Sequence, residues 1–221
     1  MEQGDPFFDW AWTSRHLDDV ATKILAHLVL TGLAVGIGLL ISLTLALLIV
    51  RYRWLDTPVT WITGILYTIP SLALFALLVP FWGFSLRTAE VGLVSYTLLI
   101  LIRNIVAGLR GVPPEVREAA VGMGYSPAQV LVRVDLPLAL PVIIAGVRIA
   151  TVTTIGLVTV TAIIGRENLG QFILEGINQL FSTKVVLGAV LSIALAVAAD
   201  VLLLGVQRLV APWLRSRGRT A

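Results

Sequence analysis

Long apolar runs alternate with short polar segments along this chain. Each run is close to the ~20 residues that a helix needs to cross a bilayer, and charged residues gather between the runs. The pattern predicts an all-α polytopic membrane protein with five transmembrane helices, in which residues 24–221 form one transmembrane domain. The predicted spans are 24–50, 59–82, 91–108, 138–165 and 185–206.

Residues 1–23 precede the first run and mix acidic with aromatic side chains, among them Phe7, Phe8, Trp10 and Trp12. Aromatic rings are typical of the headgroup level of a membrane. We therefore expect either an external interfacial helix or a partly ordered external leader. The acidic character of the segment, without a basic region before the first apolar run, argues against a cleaved secretory signal.

A proline interrupts the second run at Pro70. Proline frees a backbone carbonyl and bends a membrane helix. Two interpretations stay open: a packing kink, or a hinge or pathway-lining bend formed by Thr68, Pro70 and Ser71.

The polar segment between the third and fourth runs carries strong local structure signals. Pro113 and Pro114 end the preceding helix, and the residues after them favour a short helix that Gly122 and Gly124 terminate. Ser126, Pro127 and Gln129 then match a capping box with proline at the first helical position, which starts a second helix running toward Pro137. Two short helices joined at a glycine turn predict a docking element.

The distribution of basic residues predicts the orientation. Five spans place the two termini on opposite sides, and basic residues concentrate in cytoplasmic segments. If the N-terminus is outside and the C-terminus is inside, more basic residues lie in cytoplasmic segments than in external ones. This orientation places loop 110–137 in the cytoplasm. The cytoplasmic set is then Arg51, Arg53, Arg110, Arg117, Arg133, Arg208, Arg215, Arg217 and Arg219, and the external set is Arg15, Lys23, Arg87, Arg166 and Lys184.

The external segment between the fourth and fifth spans carries apolar residues at helical spacing. We expect a short helix that lies on the membrane or against a partner. Its apolar face would contain Phe172, Ile173, Ile177, Leu180 and Phe181.

Ionisable residues occur inside predicted spans at Arg103, Arg148 and Asp200. A charge in hydrocarbon costs about 2.5–3.5 kcal/mol on insertion scales, so each should be paired, hydrated or near the interface. Arg148 and Asp200 lie at similar depth, which predicts an intramembrane pair within a subunit or across a dimer. Separate snorkelling of Arg148 and solvation of Asp200 stay open, and Arg103 is explained by snorkelling alone.

Composition excludes a soluble globular domain, because 57% of residues are hydrophobic, 13% are charged and the mean hydropathy is +0.94. The net charge of +3 does not indicate nucleic-acid binding, because the basic residues stand at the ends of apolar runs. There is no cysteine, and the two histidines, His16 and His27, have no third ligand near them, so we expect no metal site.

The chain lacks motifs for enzyme chemistry. Neither Lys23 nor Lys184 belongs to a glycine-rich phosphate loop, and the nucleophile-elbow and zinc-protease motifs are absent. We expect no catalytic residue and no cofactor bound by this chain.

The residues from Glu118 to Pro137 resemble the cytoplasmic loop of the permeases of binding-protein-dependent ABC importers. In that family Glu-Ala-Ala is followed by three residues, Gly, nine residues, Ile, any residue and Leu-Pro. Valine replaces isoleucine here, which is the one departure. The matching residues are Glu118, Ala119, Ala120, Gly124, Val134, Leu136 and Pro137.

The segment from Thr68 to Leu74 and the segment from Leu136 to Arg148 are similar to the subgroup that imports glycine betaine, choline, carnitine and related osmoprotectants. One departure follows the fourth span. Where that subgroup has a glycine-rich sequence, this chain has Arg166, Glu167 and Asn168, which implies a stiffer and more charged external loop.

The resemblance implies a methionine-importer-like permease fold in a prokaryotic plasma membrane. It implies a second permease subunit, identical or related, an extracytoplasmic binding protein, and a cytoplasmic ABC ATPase dimer that uses ATP and Mg²⁺. Glu118 would contact the ATPase, Ala119 and Ala120 would permit close approach, and Gly124 would form the turn. Val134, Leu136 and Pro137 complete the motif, and the last two would transmit motion to the fourth span.

Three alternatives remain at this point. The cargo could be methionine or another amino acid, since the loop motif is shared widely. A channel or carrier that works without ATP would leave the loop unexplained, and a membrane scaffold would too.

Overall fold

The structure, a computed structural model, describes residues 7–210 and is all-helical over that range. Short turns of 3₁₀-helix occur at Arg53–Leu55 and Thr161–Ile164, and a π-helical turn occurs at Leu131–Asp135. The α-helices are α1 (Trp10–Arg15), α2 (Leu17–Arg51), α3 (Asp56–Thr68), α4 (Ser71–Trp82), α5 (Leu86–Arg110), α6 (Pro114–Gly122), α7 (Pro127–Val130), α8 (Leu136–Val160), α9 (Leu169–Asn178) and α10 (Ser182–Val210).

Within the described residues, 4 helices are long and apolar enough to cross a membrane: α2, α5, α10 and the continuous helix Pro127–Ile164. The pair α3 and α4 makes up to 5, because together the two helices pass the same test although they are bent by 98° at their break. The predicted all-α, multi-span architecture is confirmed. The second span is broken between Thr68 and Ser71, as the proline there leads one to expect.

The first long helix begins at Leu17, earlier than the predicted start at Ile24. Asp18 and Asp19 stand in its first turn, where the helix dipole favours acidic groups, and Asp19 pairs with Lys23 one turn later. The charged end of the predicted leader therefore belongs to α2. Before it, α1 is capped by Asp9, whose carboxylate accepts the backbone N–H of Trp12 at 2.9 Å.

The chain forms two compact units, each with its own apolar core. Among residues 7–210, the first comprises the chain up to Gly36, Ile69–Val94 and Thr151–Ala198, and the second comprises Ile37–Thr68, Ser95–Ala150 and the residues from Ala199 to Val210. In the second unit, α2, α5 and α8 contribute the core. Its fully buried residues include Ala46, Ile49, Leu101, Ile105, Leu109 and Ala139.

The core of the first unit contains the helix that follows the fourth span. Leu169 and Phe172 of α9 are fully buried and cluster with Val20 and Leu187. The expectation of a helix is correct. Of the predicted apolar face, Phe172 is buried in this core, and Ile173 and Phe181 are half-buried. Ile177 and Leu180 remain exposed.

Candidate functional site

The residues of the predicted docking element form a short helix, α6, that is defined by local chemistry at both ends. Pro114 occupies the first turn, where a missing N–H costs nothing, and Glu115 beside it suits the positive end of the helix dipole. At the other end, Gly124 has a φ of 85°, a conformation that L-residues rarely adopt.

The turn at Gly124 is a Schellman motif. The N–H of Tyr125 donates to the carbonyl of Ala120 at 3.1 Å, and the N–H of Gly124 donates to Val121 at 2.9 Å. These two bonds satisfy carbonyls that the helix end would leave without partners. The glycine turn predicted from the sequence is therefore present, with Gly122 as the last residue of α6.

The second short helix begins at the predicted capping box. The N–H of Ser126 donates to Gln129 Oε1 at 2.8 Å, and the N–H of Gln129 donates to Ser126 Oγ at 3.4 Å. Pro127 occupies the first helical position.

This helix does not end before the fourth span. It continues through the π turn Leu131–Asp135 into α8, so that Pro127–Ile164 is one continuous helix. Pro137 has no N–H to donate to the carbonyl of Arg133, and the π turn, with Leu136 N–H bonded to Leu131 O, accommodates that gap. The predicted separate second helix is therefore wrong. Continuous helix therefore joins the residues after the Gly124 turn to the fourth span.

The side chain of Arg117 fastens α6 to two neighbouring helices. Its Nε donates to Asp135 Oδ1 at 2.7 Å, and Nη2 donates to the carbonyl of Leu109 at 2.5 Å. Asp135 lies in the π turn, and Leu109 lies in the last turn of α5. Close by in the chain, Arg110 Nη1 donates to Asp56 Oδ2 at 2.6 Å and so joins the ends of α5 and α3.

Several other residues of α6 and of the turn after it are exposed to solvent among residues 7–210. Glu118 and Ala119 are exposed, whereas Ala120 is buried beneath them. Val121 and Met123 are 61% and 69% exposed. Exposed apolar side chains on one short helix are typical of a surface that a partner covers. Val134, Leu136 and Pro137 are half-buried, and Leu136 packs on the core of the second unit.

The structure brings together the two charges that the sequence places at similar depth. Arg148 of α8 and Asp200 of α10 form two hydrogen bonds, from Nε to Oδ1 and from Nη2 to Oδ2, both at 2.9 Å. Arg148 Nη1 also donates to Gln207 Oε1 at 3.1 Å, and Gln207 Nε2 donates to the carbonyl of Pro141 at 3.1 Å. The network joins α8 to α10 along two turns.

The predicted hinge residues lie at the break between α3 and α4. Thr68 ends α3, and its hydroxyl donates to the carbonyl of Ile65 at 2.8 Å. Pro70 precedes α4 with an extended ψ of 134°, and its carbonyl accepts the N–H of Leu74 at 2.9 Å. Ser71 is the first residue of α4 and is half-buried.

In the loop between the fourth span and α9, Asn168 has a structural role. It is fully buried, its Oδ1 accepts the N–H of Gly170 at 2.7 Å, and its Nδ2 donates to Thr161 Oγ1 at 3.0 Å. The asparagine caps α9 and ties it to the end of the preceding helix. The departure from the glycine-rich pattern thus supplies a side chain that caps α9.

Among the described residues, no three His, Cys, Asp or Glu side chains are grouped so that they could hold a metal ion. His27 is fully buried, with Nε2 3.0 Å from the carbonyl of Ile155.

Sequence reasoning missed Arg117, Asp135 and Gln207 as functional candidates. Arg117 is the residue immediately before Glu118, and Asp135 is the variable position of the motif before Leu136. The opposite charges of Arg117 and Asp135, on either side of Gly124, were the feature of the sequence that could have indicated an ion pair.

The sequence and the fold are both similar to those of known proteins. Residues 34–216 match the family described as binding-protein-dependent transport system inner membrane component. The osmoprotectant import permease protein OsmW of Salmonella typhimurium is 38% identical over 198 residues, which cover 87% of this chain and 92% of OsmW. The glycine betaine/carnitine/choline transport system permease protein OpuCD of Bacillus subtilis is 34% identical, with 90% of this chain and 87% of OpuCD covered.

The fold is similar to that of solved structures of the MetNI methionine ABC transporter in inward-facing conformations. One has a TM-score of 0.77 at 22% identity and covers 89% of this chain and 98% of its own. A second crystal form has a TM-score of 0.75 at 23% identity.

Proposed function

Because the chain belongs to the family of binding-protein-dependent transport system inner membrane components, we propose that it is the permease subunit of an ATP-driven importer for a compatible solute of the glycine betaine, choline or carnitine type. It is a multi-pass membrane protein and a transport subunit. The observation that supports the cargo most strongly is the 38% identity to an osmoprotectant permease over 92% of that protein's length.

The exposed surface of α6 is the proposed contact with a cytoplasmic ABC ATPase dimer. Glu118 offers a carboxylate to a basic or hydrogen-bonding partner, and the exposed Val121 and Met123 offer apolar area that association would bury. Ala119 lets the partner approach closely, and Gly124 fixes the turn that follows.

Coupling runs from this surface into the membrane. When the ATPase dimer closes on ATP, it would move α6, and Arg117 would pass the displacement to Leu109 of α5 and Asp135 of the π turn. Because α7 and α8 are one continuous helix, the motion would continue through Leu136 and Pro137 into the fourth span. The pair of Arg148 and Asp200 would carry it on to α10.

The proposed orientation follows the positive-inside rule, with the N-terminus outside and the C-terminus inside. Loop 110–137 is then cytoplasmic, and the segment up to residue 23 is external. Arg208 lies in the last turn of α10, which this orientation makes the cytoplasmic end, and Arg215, Arg217 and Arg219 lie outside the described residues.

The proposed assembly contains a second permease subunit, identical or related, and an extracytoplasmic binding protein. ATP and Mg²⁺ would be bound by the ATPase and not by this chain. The break at Thr68, Pro70 and Ser71 would be a hinge or part of the solute pathway, since irregular backbone at membrane depth occurs where it is buried in protein or lines a cavity.

A methionine or amino-acid cargo is the second candidate, because the loop motif from Glu118 to Pro137 is shared widely among importers, and the fold is similar to that of a methionine transporter. At 22% identity that likeness indicates the fold alone. A channel or carrier that works without ATP would give α6 no role.

The test is co-purification from the native membrane, followed by ATPase assays in proteoliposomes with the binding protein present. We expect an ATPase to co-purify, and we expect glycine betaine, carnitine or choline to stimulate hydrolysis where methionine does not. Absence of an ATPase from an intact permease preparation would contradict the coupling role, and stimulation by methionine alone would contradict the cargo.

A further inference from the structure

An open groove of about 380 Å³ lies on α3 and α5 within the second unit. Its volume lies in the range of about 300–1,000 Å³ that small-molecule sites occupy. The residues that line it include one arginine, two aromatic residues, one isoleucine and two threonines: Arg103, Trp61, Tyr67, Ile65, Thr60 and Thr68.

Arg103 is exposed and has no hydrogen-bond or ion-pair partner among residues 7–210. Its neighbour Asn104, in contrast, donates to the carbonyl of Ile100 at 2.8 Å. Arg110 and Arg148, on α5 and α8, both have carboxylate partners. A free guanidinium on a membrane-spanning helix is costly in lipid and is expected to face water, a partner or a solute.

The aromatic wall of the groove is exposed but braced. Trp61 is 68% exposed and Tyr67 is 38% exposed. The ring of Tyr67 meets the buried ring of Tyr96 edge-to-face, with centroids 5.9 Å apart. Tyr67 is therefore held in place while one side of its ring stays available. Aromatic faces attract quaternary ammonium groups within about 6 Å of the ring centroid.

We propose that this groove is a transient solute site in the translocation pathway, built for a zwitterion that carries both a quaternary ammonium group and a carboxylate. Trp61 and Tyr67 hold the ammonium, and Arg103 binds the carboxylate with two parallel hydrogen bonds. The inference rests on the proposed function. It further states how the site distinguishes between solutes. Glycine betaine and carnitine use the whole site, whereas choline, which lacks a carboxylate, uses the aromatic wall alone.

The test uses the complete transporter in proteoliposomes and the rate at which a thiol reagent modifies one cysteine in the groove. The chain has no cysteine, so Thr68→Cys supplies a unique probe. We expect glycine betaine and carnitine to slow labelling. Adding Arg103→Gln should raise their half-protecting concentrations roughly tenfold or more, as expected for the loss of a charged hydrogen-bonded pair. The half-protecting concentration of choline should change less than about twofold in the same variant.

Two matched variants separate the site from general damage. Arg87→Gln removes an exposed arginine of α5 outside the groove and should leave every protection value unchanged. Trp61→Ala should weaken protection by all three solutes, whereas Trp54→Ala, which removes an equally exposed ring outside the groove, should not.

Several outcomes would overturn the inference. Solute-stimulated ATPase without any protection of Thr68→Cys would remove the groove from the pathway while leaving the proposed function intact. An equal shift for choline and glycine betaine in Arg103→Gln would show that Arg103 does not read the carboxylate. If Arg103→Gln reduced only permease dimer recovery, Arg103 would belong to a subunit or lipid contact. If no solute of this class stimulated ATPase activity, the proposed function itself would fail.

Discussion

Arg148 and Asp200 form a bidentate ion pair between two membrane-spanning helices, with both N–O distances at 2.9 Å. Gln207 extends the pair to the carbonyl of Pro141. Each charge has its counter-charge on the facing helix, so the pair fixes the register of α10 against α8.

The first prediction follows from this pair. Asp200→Asn should lower the thermal stability of the purified permease, because it leaves the guanidinium of Arg148 without its counter-charge. The double variant Arg148→Met with Asp200→Leu should recover much of the loss. Thermal unfolding in detergent measures both. A double variant that is no more stable than Asp200→Asn would show that the two groups do not act as a pair.

The second prediction concerns Arg117 as the fastener of α6. Arg117→Gln should leave the ATPase bound, because the exposed surface of α6 is unchanged, but should lower the solute moved per ATP several-fold, since α6 would then move without α5 and the π turn. Parallel uptake and hydrolysis assays measure this ratio. Arg133→Gln, an exposed arginine that stacks over Tyr125 at 5.8 Å, is the control and should keep the ratio. An unchanged ratio of solute uptake to ATP hydrolysis in Arg117→Gln would show that Arg117 does not couple α6 to α5 and the π turn.

The third prediction uses two glycines of the docking element. Gly124→Ala should destabilise the turn by about 1–2 kcal/mol, because φ is 85° there. Gly122→Ala should be neutral or stabilising, since Gly122 is helical. An added Cβ meets nothing within 4 Å at either position, so only the backbone conformation differs. Uptake assays compare the two variants, and we expect uptake to fall in Gly124→Ala and to be kept in Gly122→Ala. Similar losses of uptake in both variants would contradict the conformational explanation.

The fourth prediction tests the packing of α2 on α5 in the second unit. A Cβ at Gly38 would stand 3.0 Å from Thr97 Cβ and closer still to its hydroxyl, whereas one at Gly36 meets nothing within 4 Å. Gly38→Leu should therefore destabilise the permease by about 1–3 kcal/mol through overpacking. Gly36→Leu should have little effect. Chemical denaturation of the two variants compares them directly, and equal stabilities would show that the helices approach less closely.

The parts that sequence analysis predicted correctly rest on local chemistry. The capping box at Ser126, the turn at Gly124 and the break near Pro70 each depend on a few neighbouring residues. The pair of Arg148 and Asp200 could be anticipated because the rise per residue sets their depths.

The parts that were missed depend on three-dimensional placement. Prolines commonly end helices, yet Pro137 lies near the start of α8, where the π turn absorbs its missing N–H. The face predicted for α9 is only partly covered: Phe172 is buried in the core of the first unit, whereas Ile177 and Leu180 are exposed, and hydrophobicity alone does not predict which of these residues is covered. Nothing in the spacing of Arg117 and Asp135 indicates that they meet.

The central claim is that the surface of α6 docks on a cytoplasmic ATPase, and a single-cysteine crosslink tests it most directly. Met123 is 69% exposed on that surface, and Leu180, 94% exposed after α9, is the control on the proposed external side. In inverted membranes with the assembled transporter, Met123→Cys should crosslink to the ATPase subunit, and Leu180→Cys should not. A crosslink to the ATPase from Leu180→Cys, or none from Met123→Cys in an intact complex, would contradict the account.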